Sequence, residues 1–256
     1  MSFLDELLTS TRARVTEARS LLTEGALEQR IASLPRPRGF ASALKGDDIA
    51  IIAEIKRATP SKGALDLDLD AAKTARLYAE GGAAALSVLT EPDFFKGSIE
   101  DLELAGGAGL PVLRKDFVID PLQILEARAA GADAVLLIVR IAGPELSDLL
   151  DQARTLGMDA LVEVYDEGDL DRALEAGADL VGVNHRDLET FEVDPQRTLK
   201  LASLVPLNVT LVALSGVFER SEVEELGRAG AAAVLVGEAL VRAPDPAAKL
   251  RELLGR

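Results

Sequence analysis

One short pattern occurs four times in this sequence, each time between a helix-like stretch and an apolar run. The copies read EGGAAAL, AAGADAV, EAGADLV and RAGAAAV. Each copy places a glycine where the helix would stop, at Gly82, Gly131, Gly177 and Gly230. Glycine ends helices readily because it adopts the left-handed conformation without a steric penalty. The repeat therefore predicts a chain of alternating helices and strands built from one unit.

Eight short apolar runs supply the strands of this alternation. They cover residues 50–55, 84–89, 111–115, 134–139, 160–165, 180–184, 209–214 and 233–237. Runs this short and this apolar are typical of parallel strands that are buried on both faces. Eight strand–helix units predict an α/β fold, a (β/α)8 TIM barrel. A doubly wound open sheet is the alternative, but no G-x-G-x-x-G follows the first run.

The first part of the chain differs from the repeated part. Leucines at 4, 7, 8, 21 and 22, with Val15, form a loose amphipathic helical pattern that Pro35 and Pro37 interrupt. We expect one barrel domain over residues 1–256, in which residues 1–45 form an N-terminal helical extension of one or two helices and a loop.

Composition limits the classes of function. Lys and Arg total 28 against 43 Asp and Glu, a formal net charge of −15, so we expect no nucleic-acid partner and no membrane surface. The chain has no cysteine and one histidine, which excludes thiol chemistry and a His-rich metal site. Apolar runs stay below the roughly 18 residues of a membrane span. We expect a soluble, cytoplasmic monomer.

Charged side chains follow several of the predicted strands, at the barrel face where TIM-barrel chemistry occurs. Glu54 and Lys56 are two residues apart and point into the barrel, as an internal salt bridge or as functional groups. Lys115 ends the third run and is a candidate general acid. Glu163 interrupts the fifth run and is a candidate general base, with a structural carboxylate as the alternative.

The last three strand ends predict an anion-binding region. Asn184 and Arg186 share one side of the chain after the sixth run, and Arg186 suits a carboxylate. His185 points the other way and is interpreted as structural. Ser215 and Gly216, with Gly237 after the eighth run, match the common phosphate site of barrels. The predicted ligand is small and doubly anionic, and the predicted chemistry is acid–base without a metal or a cofactor.

Several segments resemble the indole-3-glycerol phosphate synthase family. They are IIAEIKRATPSKG, LSVLTEPDFFKGS, LPVLRKDFVIDPLQILEARAAGADAVLLI, ALVEVYDE, VGVNHRDLETFEVD and VLVGEAL, and the resemblance runs from about residue 3 to 254. It implies a lyase of tryptophan biosynthesis that needs no cofactor. Its substrate would be 1-(o-carboxyphenylamino)-1-deoxyribulose 5-phosphate, which undergoes ring closure, decarboxylation and dehydration.

The resemblance also implies roles for individual residues. Lys115 would protonate the ketone, Glu163 would assist dehydration, Lys56 would pair with the substrate carboxylate, and Glu54 and Asn184 would orient the reacting groups. Further residues would bind substrate: Arg186 at the carboxylate; Ser215, Gly216, Gly237 and the Glu238 backbone at the phosphate; and Pro60, Phe117, Leu136, Ile138 and Leu188 around the aromatic ring.

The chain departs from the family pattern at four positions. The family usually has Ser-Glu-Ser-Gly after the seventh strand, where this chain has Ala213-Leu214-Ser215-Gly216, and so lacks an active-site glutamate. The family often has His at Tyr165, and Asn or Ser at His185.

Two other functions stay open on the sequence. One is a redesigned barrel on this scaffold, in which Glu163 removes a proton from carbon in a Kemp-type elimination; the absence of Cys and Trp is compatible with an engineered member. The retained lysines and arginine argue against it, because an apolar substrate does not need them. The other is a non-catalytic phosphate-binding barrel.

Overall fold

The computed structural model describes residues 2–187 and 190–256. Within these residues, eight parallel strands form a closed barrel in chain order, with the last strand beside the first. The strands are β1 (Ala50–Ile55), β2 (Ala85–Leu89), β3 (Val112–Lys115), β4 (Ala134–Ile138), β5 (Asp159–Val164), β6 (Leu180–Asn184), β7 (Thr210–Leu214) and β8 (Ala233–Val236). In the closing register, Ala50 pairs with Ala233 and Ile52 with Ala85. The TIM-barrel prediction is confirmed, and the open sheet is excluded.

Helices connect the strands on the outside of the barrel. They are α4 (Ala71–Gly81), α5 (Ile99–Gly106), α6 (Pro121–Ala129), α7 (Val139–Ala142), α8 (Leu146–Thr155), α9 (Glu167–Glu175), α10 (Arg197–Ala202), α11 (Arg220–Arg228), α12 (Glu238–Val241) and α13 (Pro246–Leu254). The four repeat glycines have φ of +93° at Gly82, +89° at Gly131, +84° at Gly177 and +104° at Gly230. Each therefore reverses the chain in the left-handed region, as the repeat predicts.

The apolar residues divide into an outer and an inner core. Alternate strand positions such as Ile51, Val135 and Val181 pack against the helices. The positions between them, such as Leu136 and Leu161, fill the inside of the barrel. The inner core leaves the carboxyl ends of the strands to polar side chains, because Glu54, Glu163 and Asn184 occupy the last inward positions of their strands.

The N-terminal extension differs in one respect from the prediction. In residues 2–49 there are three helices, α1 (Phe3–Leu21), α2 (Glu24–Ser33) and α3 (Phe40–Ala43). The third was missed because four residues are too short for a helical period. Its Phe40 is fully buried with the inner core, and the Ala41 N–H donates to Asp159 Oδ2 at 2.8 Å, at the start of β5. This helix therefore closes the barrel end opposite the strand carboxyl ends.

Helix α1 lies at the other end of the barrel. Arg14 on α1 pairs with Asp116, which follows β3, with 3.2 Å between Arg14 Nη2 and Asp116 Oδ1. Arg19 pairs with Asp120 at 2.8 Å. A short hairpin that the sequence did not reveal, Ala58–Thr59 with Gly63–Ala64, follows β1 at the same end. Across residues 2–187 and 190–256, no helix is both long and apolar enough to cross a membrane.

Candidate active site

A cavity of about 700 Å³, including its open mouth, lies at the carboxyl ends of the strands. The predicted residues that line it are Glu54, Lys56, Pro60, Lys115, Phe117, Leu136, Ile138, Glu163, Asn184, Arg186 and Ser215. An adjoining polar chamber shares Glu54, Lys56, Arg186 and Ser215 with it and adds Gly216, Gly237 and Glu238. Leu188, the remaining predicted residue, lies outside the described residues. The strand-end residues named from the sequence thus meet around one space.

Glu54 is held between two lysines. It is 2% exposed, with Oε1 2.5 Å from Lys56 Nζ and Oε2 3.5 Å from Lys115 Nζ. Burial raises the pKa of Glu54, but the two ammonium groups outweigh burial and hold its pKa below the ordinary value. Glu54 therefore stays ionised. The internal salt bridge expected as one alternative is present, and the cavity is built around it.

Glu163 has a different environment. It is 1% exposed, and its Oε1 accepts a hydrogen bond from Asn184 Nδ2 at 2.9 Å. Burial raises the pKa of Glu163 above the ordinary value, although Lys115 and the Asn184 amide oppose the rise. Asn184 Oδ1 accepts from the Arg186 backbone N–H at 3.0 Å, which fixes the orientation of the amide.

Two buried carboxylates in one cavity thus have pKa values displaced in opposite directions. Such a pair gives the two groups different roles, because one is held as an anion while the other takes up a proton more readily than an ordinary carboxyl group. Lys115 lies between them, since its ammonium group acts on both carboxylates. The arrangement provides an ammonium acid, a fixed anion and a carboxyl group that can exchange a proton.

The polar chamber has the features of an anion site. Ser215 and Gly216 both have positive φ, +69° and +76°, which turns the chain sharply after β7. At Gly237 a Cβ atom would overlap Glu54 Oε1 and lie 2.9 Å from Lys56 Nζ, so the chamber requires glycine there. The Glu238 carboxylate is itself occupied, by Lys62 at 2.6 Å and Arg242 at 3.0 Å. Lys56 and Arg186 are cations that border both spaces.

Three aromatic residues that the site prediction did not include border the cavity: Phe3, Phe95 and Phe191. Phe3, at the start of α1, makes edge contacts with Phe94 and Phe191, each at 5.0 Å between ring centroids. The two phenylalanines that follow β2 have separate positions, since Phe95 lines the cavity and Phe94 packs on α1. No local signal marks Phe3, because its contacts depend on how α1 crosses the barrel.

His185 and Leu214 lie next to the site without the roles of its lining residues. His185 is 1% exposed, and its Nε2 is 2.7 Å from Thr198 Oγ1, in agreement with the structural interpretation. Burial lowers the pKa of His185. Leu214, 1% exposed, belongs to the inner core. Among the described residues, no group of three or more His, Asp or Glu side chains could hold a metal ion.

Known proteins with a similar sequence share one description. The family model for indole-3-glycerol phosphate synthase matches residues 4–253. An indole-3-glycerol phosphate synthase of Parafrankia sp. (strain EAN1pec) is 50% identical over 96% of this chain and 92% of its own length. Indole-3-glycerol phosphate synthase 2 of Streptomyces coelicolor is 48% identical, with 97% of each chain covered.

Solved structures support the fold alone. One described as native KDPGal aligns with a TM-score of 0.62 at 18% identity, over 82% of this chain and 95% of that chain. The full-length match to the family model and the near-complete coverage of both relatives lead to one conclusion: this chain belongs to the indole-3-glycerol phosphate synthase family.

Proposed function

We propose that this cavity carries out the family's reaction with the residues described above. The activity is indole-3-glycerol phosphate synthesis, a carbon–carbon lyase reaction on a phosphorylated anionic substrate. The observation that carries the assignment of roles is the arrangement of three groups in one cavity: Glu54 Oε2 lies 3.5 Å from Lys115 Nζ, and Glu163 is held by Asn184 at 2.9 Å.

Lys115 acts as the general acid of ring closure. The aromatic ring carbon that bears the carboxylate attacks the ketone carbon, and the ketone oxygen takes a proton from the Lys115 ammonium. Loss of CO₂ restores the ring electrons. Glu54 lies 3.5 Å from Lys115 Nζ and remains anionic, so it holds the ammonium in place without competing for the ketone.

Glu163 assists the loss of water. Its raised pKa favours the protonated form, which gives its proton to the leaving hydroxyl; the carboxylate then takes the proton from the neighbouring ring carbon, which forms the indole double bond and restores Glu163. Asn184 holds the Glu163 carboxyl group at 2.9 Å and thereby orients it toward the substrate. This division of work needs no cofactor.

The aromatic end of the substrate occupies the cavity, and its phosphate end occupies the polar chamber. The aromatic ring lies against Phe117, Leu136 and Ile138, with Pro60 and Leu188 as further expected contacts. Lys56 and Arg186 attract the carboxylate. The phosphate occupies the chamber of Ser215, Gly216, Gly237 and the Glu238 backbone.

The test follows product fluorescence on mixing the protein with 1-(o-carboxyphenylamino)-1-deoxyribulose 5-phosphate. We expect Lys115→Ala and Glu163→Gln each to lower kcat by about 100-fold or more, because each removes a proton-transfer group. Lys249→Ala is the matched control, since Lys249 pairs with Glu252 on the outer helix α13. Its rate stays that of the wild type.

The two variants also separate the reaction from other uses of the cavity. A mild effect of Lys115→Ala with a severe effect of Glu163→Gln would contradict the acid role and indicate a carboxylate base acting alone. Unfolding in urea checks that both variants remain folded.

We further propose that the chain works as one barrel domain, as a monomer and in the cytoplasm. The proposed acid, the two carboxyl groups and the anion chamber all come from one chain, so the proposed reaction requires no residue of a second copy. Size-exclusion chromatography with light scattering tests it: a dimer mass at micromolar concentration would contradict it.

A further inference from the structure

Tyr165 lies directly behind the wall of the cavity. It follows β5, is 3% exposed, and donates its hydroxyl hydrogen to the Arg186 carbonyl oxygen at 2.5 Å. Two guanidinium groups lie over its ring, with the Arg140 carbon Cζ 4.7 Å and the Arg197 carbon Cζ 5.2 Å from the ring centroid. Cation–π contacts of this kind are strongest where water is excluded.

The partners of Tyr165 hold one short segment, residues 184–186. Its three consecutive carbonyl oxygens accept hydrogen bonds from outside the segment. The donors are Arg197 Nη1 at 2.7 Å to Asn184, the Asp194 N–H at 2.9 Å to His185, and the Tyr165 hydroxyl at 2.5 Å to Arg186. Arg197 also contacts the Tyr165 ring. Two of the three hydrogen bonds are therefore donated by Tyr165 itself and by a residue that packs on it.

The aromatic residue is itself firmly anchored. Arg140 pairs with Asp166 at 2.5 Å and with Asp169 at 2.8 Å, at the start of α9. The Tyr165 backbone N–H donates to Asp169 Oδ2 at 3.0 Å. Burial, with the nearby Glu163 carboxylate, raises the pKa of Tyr165 far above its ordinary value, so the hydroxyl keeps its proton as a donor.

The front of the same segment carries two residues of the site. Asn184 holds Glu163 at 2.9 Å, and the Arg186 side chain borders both the cavity and the polar chamber. A shift of the 184–186 backbone would therefore move the amide away from Glu163 and the guanidinium away from the substrate's anionic groups.

We propose that Tyr165 is a positioning residue for this reaction: its hydroxyl and its guanidinium neighbours fix the 184–186 segment, and so set Asn184 against Glu163 and Arg186 against the anionic substrate. The proposal rests on the function proposed above. It assigns Tyr165 no contact with the reacting atoms.

The decisive variant is Tyr165→Phe, which keeps the ring and removes the hydroxyl. We expect KM to rise about five- to tenfold, the range that one lost hydrogen bond gives. Tyr78→Phe is the matched control: Tyr78 is fully buried, and its hydroxyl donates to the Glu54 carbonyl at a long 3.4 Å. Its KM stays within twofold of the wild type.

The pH profile of kcat gives a readout that a merely structural role would not move. The groups that face Glu163 are Lys115, Glu54, Asn184 and Tyr165. The Asn184 amide and the Tyr165 hydroxyl both lower the pKa of Glu163, so Tyr165→Phe raises that pKa by removing the hydroxyl and by loosening the amide. The Glu163 limb of the profile therefore moves to higher pH in Tyr165→Phe and stays in place in Tyr78→Phe.

Two results would overturn the proposal. One is a Tyr165→Phe enzyme in which the KM, the pH profile and the melting temperature all stay unchanged. The other is a Tyr165→Phe enzyme whose melting temperature falls while its KM and pH profile stay unchanged, which would show a structural role alone. If the wild type forms no product, the proposed function fails separately. The positioning role is then tested by the binding of inorganic phosphate. We expect the dissociation constant of phosphate to rise several-fold in Tyr165→Phe, because Arg186 borders the phosphate chamber. An unchanged dissociation constant overturns the positioning role.

Discussion

Leu214 fills a space that Gly182 leaves open inside the barrel. A Cβ atom added at Gly182 would lie 2.7 Å from Leu214 Cδ1 and 3.2 Å from Leu161 Cδ1, closer than carbon atoms pack. Leu214 pairs with Asn184 in the β6–β7 register and is 1% exposed. Where the family usually has a glutamate, this chain therefore has an apolar contact beneath the cavity, and the proposed mechanism assigns the acid–base work to Lys115 and Glu163.

This packing predicts the effect of a single methyl group. Gly182→Ala lowers the free energy of unfolding by about 1–3 kcal/mol, the usual cost of overfilling a packed core. Leu214→Ala is itself destabilising, but the double variant loses less than the sum of the two single losses, because the clashing side chain is gone. Urea unfolding of the single and double variants measures the coupling.

Gly25→Ala is the control for that experiment, since nothing lies within 4 Å of a Cβ atom there. It leaves stability unchanged or slightly raised, as expected for alanine in a helix. Additive losses in Gly182→Ala and Leu214→Ala would show that the two residues do not share one space.

At the scale of elements, Asp116 connects α1 to the barrel. It accepts from Arg14 at 3.2 Å, from Arg114 at 3.2 Å and from Thr90 at 2.7 Å. Burial raises the pKa of Asp116, but the two guanidinium groups outweigh burial and bring it down from 3.8 to about 2. The carboxylate is therefore bound more tightly as an anion than it is in the unfolded chain.

This contact predicts a pH dependence with a definite sign. Because the folded-state pKa is lowered, its contribution is fully present above the unfolded pKa of 3.8 and is lost as pH falls toward 2. The loss amounts to about 2 kcal/mol of unfolding free energy. Asp116→Asn lacks this dependence and is less stable at neutral pH. Urea unfolding between pH 2 and 6 measures this pH dependence, with Asp148→Asn, at an exposed position, as the control. Parallel plots of unfolding free energy against pH for Asp116→Asn and the wild type would contradict the prediction.

The elements that could be predicted from the sequence are those marked by a repeated apolar pattern. The apolar runs match the barrel strands to within one residue at either end, because a buried parallel strand needs continuous apolar residues. Helix α3 and the Ala58–Ala64 hairpin escaped prediction, since each is too short to show a period. Their formation depends on the finished barrel, against which Phe40 packs.

At the scale of the whole molecule, the barrel closes one face with α3 and opens the other as a cavity joined to a polar chamber. Lys56 and Arg186 border both spaces, so a ligand with two anionic groups fits across the cavity and the chamber. Occupying the chamber therefore stabilises the assembled barrel, because the unfolded chain has no such site.

Inorganic phosphate tests this coupling. At 100 times its dissociation constant it adds about 2.7 kcal/mol to the free energy of unfolding, which raises Tm by about 5 to 10 °C for a chain of this size. Sodium chloride at equal ionic strength is the control. A phosphate effect no larger than that of chloride would show that the chamber binds no anion.

Most of the site was predictable because strand alternation and chain order decide it. Glu54, Glu163 and Asn184 are inward positions at strand ends, and parallel strands of a closed barrel bring such ends together. Phe3 was not predictable. Its place over the cavity depends on how α1 docks, which rests on contacts such as Arg14–Asp116, 102 residues apart in the chain.

The fluorescence of the buried tyrosines can also report on the cavity. The chain has two tyrosines and no tryptophan, and Tyr165 and Tyr78 contact segments that carry site residues. Tyrosine emission overlaps indole absorption, so light absorbed by the protein can pass by resonance energy transfer to an indole formed in the cavity. Product still bound would then quench the tyrosine emission, and its release into solvent would restore that emission. Stopped-flow emission could thus time product release separately from ring closure, without any added dye.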